Sequence, residues 1–351
     1  MSTEINVEQI LEVLKNVMDP DLGKDIVSLG FVKNLTIGDK KVSFDLELTT
    51  PACPMRDKFR EQCKTLILEK FKQIETVDVK LTARPQNKKA EEKEYLKTVK
   101  NTILVSSGKG GVGKSTVSVN LALVLAQQGA KVGLMDADAY GPSFPTMLNI
   151  KEPLQATEDQ KIVPAQAYGV SCVSLGFIIP PGAPVIWRGP MLDGMLKQFM
   201  RDVMWGDLDY LIIDLPPGTG DVQLTLSQLS GAVGAVVVTT PQKVALDDVT
   251  RNVEMFRKTN VDVLGIVENM STFICPHCGK ETKIFAHGGG SKTAKFFAIP
   301  LLGNLPLNPE IVVSGDKGVP IMASEGNESI KATFVDIAKN LLSEICKKSD
   351  K

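Results

Sequence analysis

Short, continuous apolar runs recur along the chain from residue 99 onward, and stretches with helical periodicity separate most of them. The apolar runs lie at 102–105, 131–135, 170–174, 210–213, 235–239 and 263–267. The helical stretches include 115–128, 190–204 and 245–258. Strands without polar alternation are typically buried on both faces, and intervening helices are typical of parallel connections. This pattern predicts an α/β fold, a doubly wound and mostly parallel sheet covered by helices.

A different pattern occupies the first 84 residues, where the signals follow the order α-β-β-α-β. Helices are predicted at 7–17 and 55–71, and strands at 31–37, 42–48 and 77–81. The polar turn at 38–41 is a hairpin signal. Residues 84–93 are polar and charged without apolar periodicity, as in a linker. The chain is therefore predicted to contain a small α+β domain at 1–84, a charged linker at 85–98 and an α/β domain at 99–351.

Composition and charge narrow the class of protein. The chain has 351 residues, which is longer than the usual length of a domain with a single hydrophobic core, and this length agrees with two domains. Forty basic against 41 acidic side chains give a net charge of −1, which disfavours a broad nucleic-acid surface. No apolar run approaches the ~20 residues of a membrane span, and the first residues lack a signal-peptide pattern. We expect a cytoplasmic protein that binds neither nucleic acid nor membrane, with a C-terminal helix packed on the sheet.

A glycine-rich loop after the first of these apolar runs has the chemistry of a nucleotide site. The pattern G-x-x-x-x-G-K-S/T is matched at 108–115, between a predicted strand and a predicted helix. Glycines let backbone N–H groups converge on phosphates, Lys114 reaches the terminal phosphates, and the Ser115 hydroxyl binds Mg²⁺. A chance glycine-rich turn is the alternative. The predicted nucleotide-binding residues are Gly108, Lys109, Gly110, Gly111, Val112, Gly113, Lys114, Ser115 and Thr116.

Carboxylates stand at the ends of two later apolar runs. Asp136 and Asp138 follow the run at 131–135, and Asp214 follows the run at 210–213. Acids at the carboxyl edge of parallel strands beside a P-loop hold Mg²⁺ or its waters, although Asp at a strand end also serves ordinary turns. We therefore predict that these carboxylates, Asp136, Asp138 and Asp214, take part in catalysis together with Lys114. The chain lacks the late Asn-Lys-x-Asp segment with which GTPases read guanine, which favours ATP.

Cys275 and Cys278 are the chain's Cys-x-x-Cys pair, within the segment FICPHCG at 273–279. This spacing lets two thiolates converge on one metal, but zinc and iron–sulfur clusters both take four ligands. Three interpretations stay open: a cluster shared with the same pair of a second copy, a zinc site with His287 as a third ligand, and a thiol pair without metal. Three other cysteines occupy positions typical of packing in helices or strands, namely Cys63, Cys172 and Cys346.

The P-loop resembles the deviant Walker A loop, in which an additional lysine, here Lys109, precedes the paired glycines. That loop marks the superfamily of MinD, ParA, the nitrogenase iron protein and the ArsA pump. Within the superfamily, four segments resemble the Mrp/ApbC branch. They are DADAYGPS at 136–143, WRGP at 187–190, DLPPGTGD at 214–221 and ENMS at 268–271.

The resemblance implies an ATP-dependent carrier or scaffold of iron–sulfur clusters that works as a homodimer. Its implied partners are apo iron–sulfur proteins and cluster assembly factors, and its implied cargo is one [4Fe–4S] cluster bridging Cys275 and Cys278 of two subunits. The resemblance also implies that Lys109 reaches the partner subunit's nucleotide and that Asp138 orients the attacking water. Asp214 would help to hold Mg²⁺, and Asn269 would contact the adenine. The alternatives are a MinD- or ParA-like positioning ATPase and a zinc-stabilised regulatory ATPase.

The first domain has motifs of its own. They are DPDLG at 19–23, IVSLG at 26–30 and TTPACP at 49–54, and they resemble the small domain of SufT- and PaaD-like proteins. That resemblance implies a link to iron–sulfur assembly. Cys53 precedes the predicted helix, whose dipole stabilises a thiolate. Two roles stay open for Cys53: receiving or passing on iron or a cluster, and packing in a tight turn.

Overall fold

The computed structural model describes residues 5–20, 23–48, 56–83, 94–178, 189–275, 277–286 and 288–349. The chain divides into two compact units, of which the first contains 1–86 with 342–351 and the second contains 87–341. Several features predicted from the sequence lie outside the described residues. They are the TTPACP motif with Cys53, the linker up to residue 93, the Trp187-Arg188 pair and His287.

The first unit contains a three-stranded sheet and two helices. Its elements are α1 (Val7–Leu14), β1 (Met18–Asp19), β2 (Lys24–Asp25), β3 (Val32–Ile37), β4 (Lys41–Leu48), α2 (Arg56–Lys70) and β5 (Thr76–Ala83). Strand β4 is central, antiparallel to β3 and parallel to β5. Every second side chain of β4 is buried against the helices, because successive side chains of a strand point to opposite faces. The predicted order α-β-β-α-β is confirmed, with the short pair β1–β2 in addition.

Helix α1 is shorter than its apolar periodicity predicts. It begins at a capping box in which Asn6 accepts a hydrogen bond from Gln9 N at 2.9 Å, and Gln9 Oε1 accepts one from Asn6 N at 3.1 Å. It ends at Leu14, not at residue 17, because Asn16 N and Val17 N donate to carbonyls three residues back. The chain thus tightens into a turn before β1.

The second unit contains most of the remaining elements. Its first half consists of β6 (Val99–Ser107), α3 (Lys114–Gln127), β7 (Val132–Asp136), α4 (Phe144–Met147), β8 (Gln155–Ala156), β9 (Ile162–Val163), β10 (Ala165–Ala167), β11 (Val170–Ser174), α5 (Gly189–Asp202) and β12 (Leu208–Asp214). It continues with α6 (Asp221–Leu229), β13 (Gly234–Thr239), α7 (Lys243–Lys258), β14 (Val263–Glu268), β15 (Phe273–Ile274), β16 (Glu281–Thr282), α8 (Gly289–Phe297), β17 (Leu301–Asn304) and α9 (Pro309–Asp316). Helix α10 (Glu328–Ser349) ends the described chain.

An eight-stranded sheet forms the centre of the second unit, in the order β10-β11-β7-β12-β6-β13-β14-β17. Neighbouring strands are parallel, except that β10 runs antiparallel to β11. Every residue of β7, β12 and β13 is buried, as the unbroken apolar runs predict. The α/β, mostly parallel fold is confirmed. Its carboxyl edge brings the ends of β6, β7, β12, β13 and β14 together, which is where the predicted site residues lie.

The two edge strands of this sheet were not predicted. Strand β17 is short and contains Gly303, where an added Cβ would lie 2.6 Å from Ile337 Cγ1 of α10. The absence of a side chain at Gly303 therefore lets α10 pack on the sheet, as expected for the C-terminal helix. Among the described residues, no helix is both long enough and apolar enough to cross a membrane.

Candidate functional site

The loop between β6 and α3 turns at two glycines in the left-handed region of backbone space. Gly111 has φ +78° and Gly113 has φ +82°, values that glycine adopts without steric cost. Gly113 is also the N-cap of α3, and it has no side chain with which to cap the first N–H groups of the helix. Uncapped N–H groups at a helix N-terminus bind anions. The loop therefore fits the phosphates of a nucleotide.

Lys114 and Asp214 form the charged centre of the site. Lys114 Nζ lies 2.6 Å from Asp214 Oδ2, and both side chains are buried. Ser115 Oγ donates to the same carboxylate oxygen at 2.6 Å, and Ser118 Oγ donates to Asp214 Oδ1 at 2.6 Å. A hydroxyl and a carboxylate side by side are oxygen donors of the kind that Mg²⁺ uses in P-loop proteins. The structure therefore brings together three of the predicted residues, and Ser118 is an addition that the motif did not reveal.

Asp136 and Asp138 have different environments. Asp136 is fully buried and lies opposite Asp214 in the register of β7 and β12. Burial, and then the charge of Asp214, raise the pKa of Asp136 to about 7. Its carboxylate accepts hydrogen bonds from Ser174 Oγ at 2.9 Å and from Asp138 N at 3.1 Å. Asp136 thus holds the loop after β7 in place.

Asp138 faces the charged centre. Its Oδ1 accepts hydrogen bonds from Tyr140 N and Gly141 N, both at 3.2 Å. Its Oδ2 lies 3.8 Å from Lys114 Nζ. One carboxylate oxygen is therefore fixed by the loop, and the other points to the side of the site where Lys114 lies.

Lys109 lies at the start of the P-loop and contacts helix α7 of the same chain. Its Nζ donates to Gln242 Oε1 at 3.0 Å, and Gln242 is the N-cap residue of α7. The fully buried Asn252 amide supports the same end of the loop. Oriented to satisfy its neighbours, it accepts from Gly108 N at 2.8 Å and donates to Gly218 O at 3.1 Å. Neither Gln242 nor Asn252 belongs to a motif. A polar residue on the buried face of an amphipathic helix is a signal that could have singled out Asn252, although it does not reveal what Asn252 contacts.

Asn269 follows β14 and touches the P-loop. Its Nδ2 donates to Val112 O at 2.9 Å, and its Oδ1 accepts from Met270 N at 2.9 Å. An added Cβ at Gly113 would collide with the Asn269 amide, so glycine is required there for this contact. The structure thus gives Asn269 a contact with the P-loop that the sequence did not reveal, and the adenine contact stays a prediction.

Cys275 and Cys278 lie on a turn between β15 and β16. Cys275 N donates to Lys280 O at 3.0 Å, and Gly279 N donates back to Cys275 O at 2.9 Å. The backbone N–H groups of His277 and Cys278 stabilise the Cys275 thiolate and lower the pKa of that thiol. Both thiols are free, with Cys278 exposed and Cys275 half-buried.

The cysteine turn offers an incomplete metal site within one chain. Over the described parts of the chain, no group of three or more His, Cys, Asp or Glu side chains is placed to hold a metal ion. Cys63 and Cys172 are buried elsewhere, as their packing positions predicted. Two thiolates on one exposed turn are half of the four ligands that a cluster or a structural zinc requires.

The fold, the phosphate loop and the buried Lys–Asp centre define a P-loop NTPase. Residues 98–342 match the family described as NUBPL iron-transfer P-loop NTPase, and residues 7–81 match a family of iron–sulfur cluster assembly proteins. The chain belongs to this iron-transfer family of P-loop NTPases and has an iron–sulfur assembly domain before the NTPase domain. The predicted family, fold and ATP hydrolase class are confirmed.

Relatives and solved structures agree with this assignment. An iron–sulfur cluster carrier protein of Synechocystis sp. is 46% identical over 97% of this chain and 98% of its own length. The one of Helicobacter pylori is 41% identical over 95% of this chain and 91% of its own length. A solved nucleotide-binding protein of Archaeoglobus fulgidus, in complex with ADP, has 38% identity and a TM-score of 0.57 over 67% of this chain and 92% of its own. MinD of Pyrococcus furiosus, at 21% identity and a TM-score of 0.53 over 69% of this chain and 98% of its own, shares the fold.

Proposed function

We propose that this chain is an ATP-driven iron–sulfur cluster carrier. It binds and hydrolyses Mg·ATP at 108–116, and it holds a cluster on Cys275 and Cys278 for delivery to apoproteins in the reducing cytoplasm. The observation that carries the proposal is the presence of two sites on one NTPase domain. One is a buried Lys–Asp centre behind a phosphate loop, and the other is a pair of free thiols on one turn, with Cys278 exposed and Cys275 half-buried. The names of the relatives as cluster carriers support the same function.

The nucleotide chemistry is assigned to residues of the charged centre. Lys114 opposes the charge of the terminal phosphates, and Asp138 Oδ2 accepts a hydrogen bond from the attacking water. The oxygens of Ser115 and Asp214 would hold Mg²⁺ or its waters, and the ion would neutralise charge on the phosphate oxygens. Because Asp138 Oδ1 is fixed by two backbone N–H groups, its other oxygen has a defined direction.

Lys109 has the role of a cation supplied to a neighbouring subunit's nucleotide in a homodimer. Its bond to the neutral amide oxygen of Gln242 is weaker than an ion pair, so a phosphate of the partner subunit competes for it readily. Lysine at this position acts on charge that develops during hydrolysis, as an arginine finger does. We therefore assign Lys109 to catalysis in trans.

The cargo is a [4Fe–4S] cluster between two subunits. Each chain contributes two thiolates from one turn, and a homodimer contributes the four that a cluster requires. The stabilised Cys275 thiolate favours iron binding, because the thiolate is the form that binds metal. Apo iron–sulfur proteins and assembly factors are the partners that would receive or supply such a cluster.

The test is iron and sulfide content after anaerobic reconstitution. The wild-type protein should hold about four irons per dimer, with almost none in Cys275→Ser or Cys278→Ser, because each change removes two ligands from the dimer. Cys346→Ser in helix α10 is the matched control and should keep the cluster. ATP binding should survive in all three variants. Full cluster occupancy in the double variant Cys275→Ser/Cys278→Ser would contradict the proposal. Tightly bound zinc in the wild type would identify the cysteine turn as a structural metal site.

A further inference from the structure

The cysteine turn is joined to the P-loop through one residue. Five residues separate Asn269 from Cys275, and Asn269, directly after β14, is itself 7% exposed. Its backbone N donates to Thr239 O at 2.7 Å, which continues the pairing of β14 with β13. Its side chain turns away from β13, and its Nδ2 donates to Val112 O in the P-loop at 2.9 Å. Asn269 is thus fixed to the sheet by its backbone and to the nucleotide loop by its amide.

The same amide is bonded to the first residue of the segment that leads to the cysteines. Asn269 Oδ1 accepts from Met270 N at 2.9 Å, so the planar amide bridges Val112 and Met270. Met270 has φ +55°, a left-handed conformation that costs a non-glycine residue about 1–2 kcal/mol. Such a conformation persists where the surroundings impose it. Here the Asn269 amide is one of the groups that impose it.

After Met270 the chain follows the segment at 305–307 to the cysteine turn. Ser271 N and Ser271 Oγ both donate to Leu305 O at 2.9 Å, and Leu307 N donates to Thr272 O at 2.7 Å. A β-bridge then pairs Phe273 with Leu307, and Phe273 begins β15. Hydrogen bonds and strand pairings therefore run along the whole segment between the Asn269 amide and Cys275.

We infer that Asn269 is a positioning residue that couples nucleotide occupancy of the P-loop to the conformation of the cysteine pair. Phosphates bound by the loop N–H groups fix the loop, which fixes Val112 O and, through the amide, Met270 N. With nucleotide bound, residues 270–275, which lead to the cysteine turn, then deviate less from their positions in the folded structure than they do without nucleotide. The inference deepens the proposed carrier function, because it names the contact through which nucleotide would control the cargo site.

The test uses the cluster-free chain and the alkylation rate of Cys275 and Cys278 by iodoacetamide, followed by peptide mass spectrometry. Saturating Mg·ADP should slow alkylation of the wild-type pair by about five-fold or more, the lower end of typical coupling between sites. Asn269→Ala should alkylate at nearly the same rate with and without Mg·ADP. Binding of Mg·ADP is measured for every variant, so that each comparison is made at saturation.

Two further variants separate coupling from general destabilisation. Asn120 is the matched control: it is also buried, and its amide bridges Thr116 O at 2.8 Å and Met322 N at 3.0 Å, away from the cysteine segment. Asn120→Ala should keep the nucleotide effect. Met270→Gly removes the imposed left-handed constraint but keeps the Asn269 side chain, so it should lose most of the effect without losing stability. If Asn269→Ala fails to fold or to bind Mg·ADP, the result for Met270→Gly tests the coupling in its place.

Three outcomes would overturn the inference: a wild-type rate that Mg·ADP does not change, a nucleotide effect that survives in both Asn269→Ala and Met270→Gly, and equal loss of the effect in Asn120→Ala. The assay needs no iron. A chain that holds no cluster on reconstitution would therefore refute the proposed function and leave this measurement interpretable. Conversely, a chain that holds a cluster but shows no nucleotide effect would refute the coupling alone.

Discussion

The Lys114–Asp214 ion pair is buried deeply enough that its loss should be measurable as stability as well as activity. Lys114 is 6% exposed and Asp214 is 0% exposed, with Nζ and Oδ2 separated by 2.6 Å. Lys114→Ala leaves the carboxylate buried among the hydroxyl donors of Ser115 and Ser118. Those bonds are already present in the wild type, so they do not offset the lost cation.

Breaking a buried pair by removing one partner typically costs about 3–5 kcal/mol, because the other charge stays buried without compensation. Asp136 is a fully buried acid in the adjacent strand and raises that cost further. We expect Lys114→Ala to lower the free energy of unfolding of the nucleotide-free protein by at least about 3 kcal/mol. The double variant Lys114→Ala/Asp214→Asn removes the orphaned charge and should recover most of that loss.

The assay is urea unfolding followed by tryptophan fluorescence. Trp205 is buried in the second unit, so its fluorescence reports on the unit that contains the ion pair. ATP turnover measured in parallel should fall in Lys114→Ala, since the cation opposing the phosphates is gone. An unfolding free energy within about 1 kcal/mol of the wild type, with no gain in the double variant, would refute the reasoning, since the cost of an orphaned buried charge is several times larger.

Three further perturbations test the site residues. Asp138→Asn keeps an oxygen for the loop N–H groups but loses the charge that orients water, so nucleotide affinity should persist while turnover falls by about 100-fold or more; equal turnover would contradict the assignment. Mixing Lys109→Ala subunits with Lys114→Ala subunits should restore activity above the sum of the parents, because one site of each heterodimer regains an intact P-loop and a partner lysine; no gain would argue against a shared site. Iodoacetamide should modify the exposed Cys278 in the native protein but not Cys63, where burial raises the pKa of the thiol to about 12; mass spectrometry with and without urea measures both.

Apolar runs and motifs predicted the part of the molecule that depends on local pattern. Lys114 and Asp214 stand 100 residues apart, yet their meeting was predictable, because each follows a buried parallel strand and β6 and β12 are neighbours. Strand β17 escaped prediction, since four residues including Gly303 give no periodic signal and its place depends on packing by α10. Strand β10 is shorter still.

The supporting contacts of the site could not be predicted, for a physical reason. Gln242, Asn252 and Asn269 act through side chains that reach segments more than a hundred residues away. The chemistry of an amide is the same at a surface position and at a buried bridge, so residue type alone does not distinguish the two. The partner is fixed by strand order and by the small volume of Gly113, which are properties of the folded chain. Sequence patterns therefore identify the residues that carry out the chemistry more easily than they identify the residues that hold those side chains in position.

The two candidate sites differ in how complete they are within one chain, and this difference constrains the mechanism. The residues of the nucleotide centre are buried and come from the loop after β7, from β12 and from α3, whereas the cysteine turn holds two thiols, of which Cys278 is exposed. If Lys109 acts in trans, a second copy completes both sites, and a twofold interface completes them together. A nucleotide state that favours the dimer then also favours four thiolates around the cluster, because each ligand stabilises the state it binds better. We therefore expect hydrolysis to act on release of the cluster, since weakening the dimer leaves the cargo with half of its ligands.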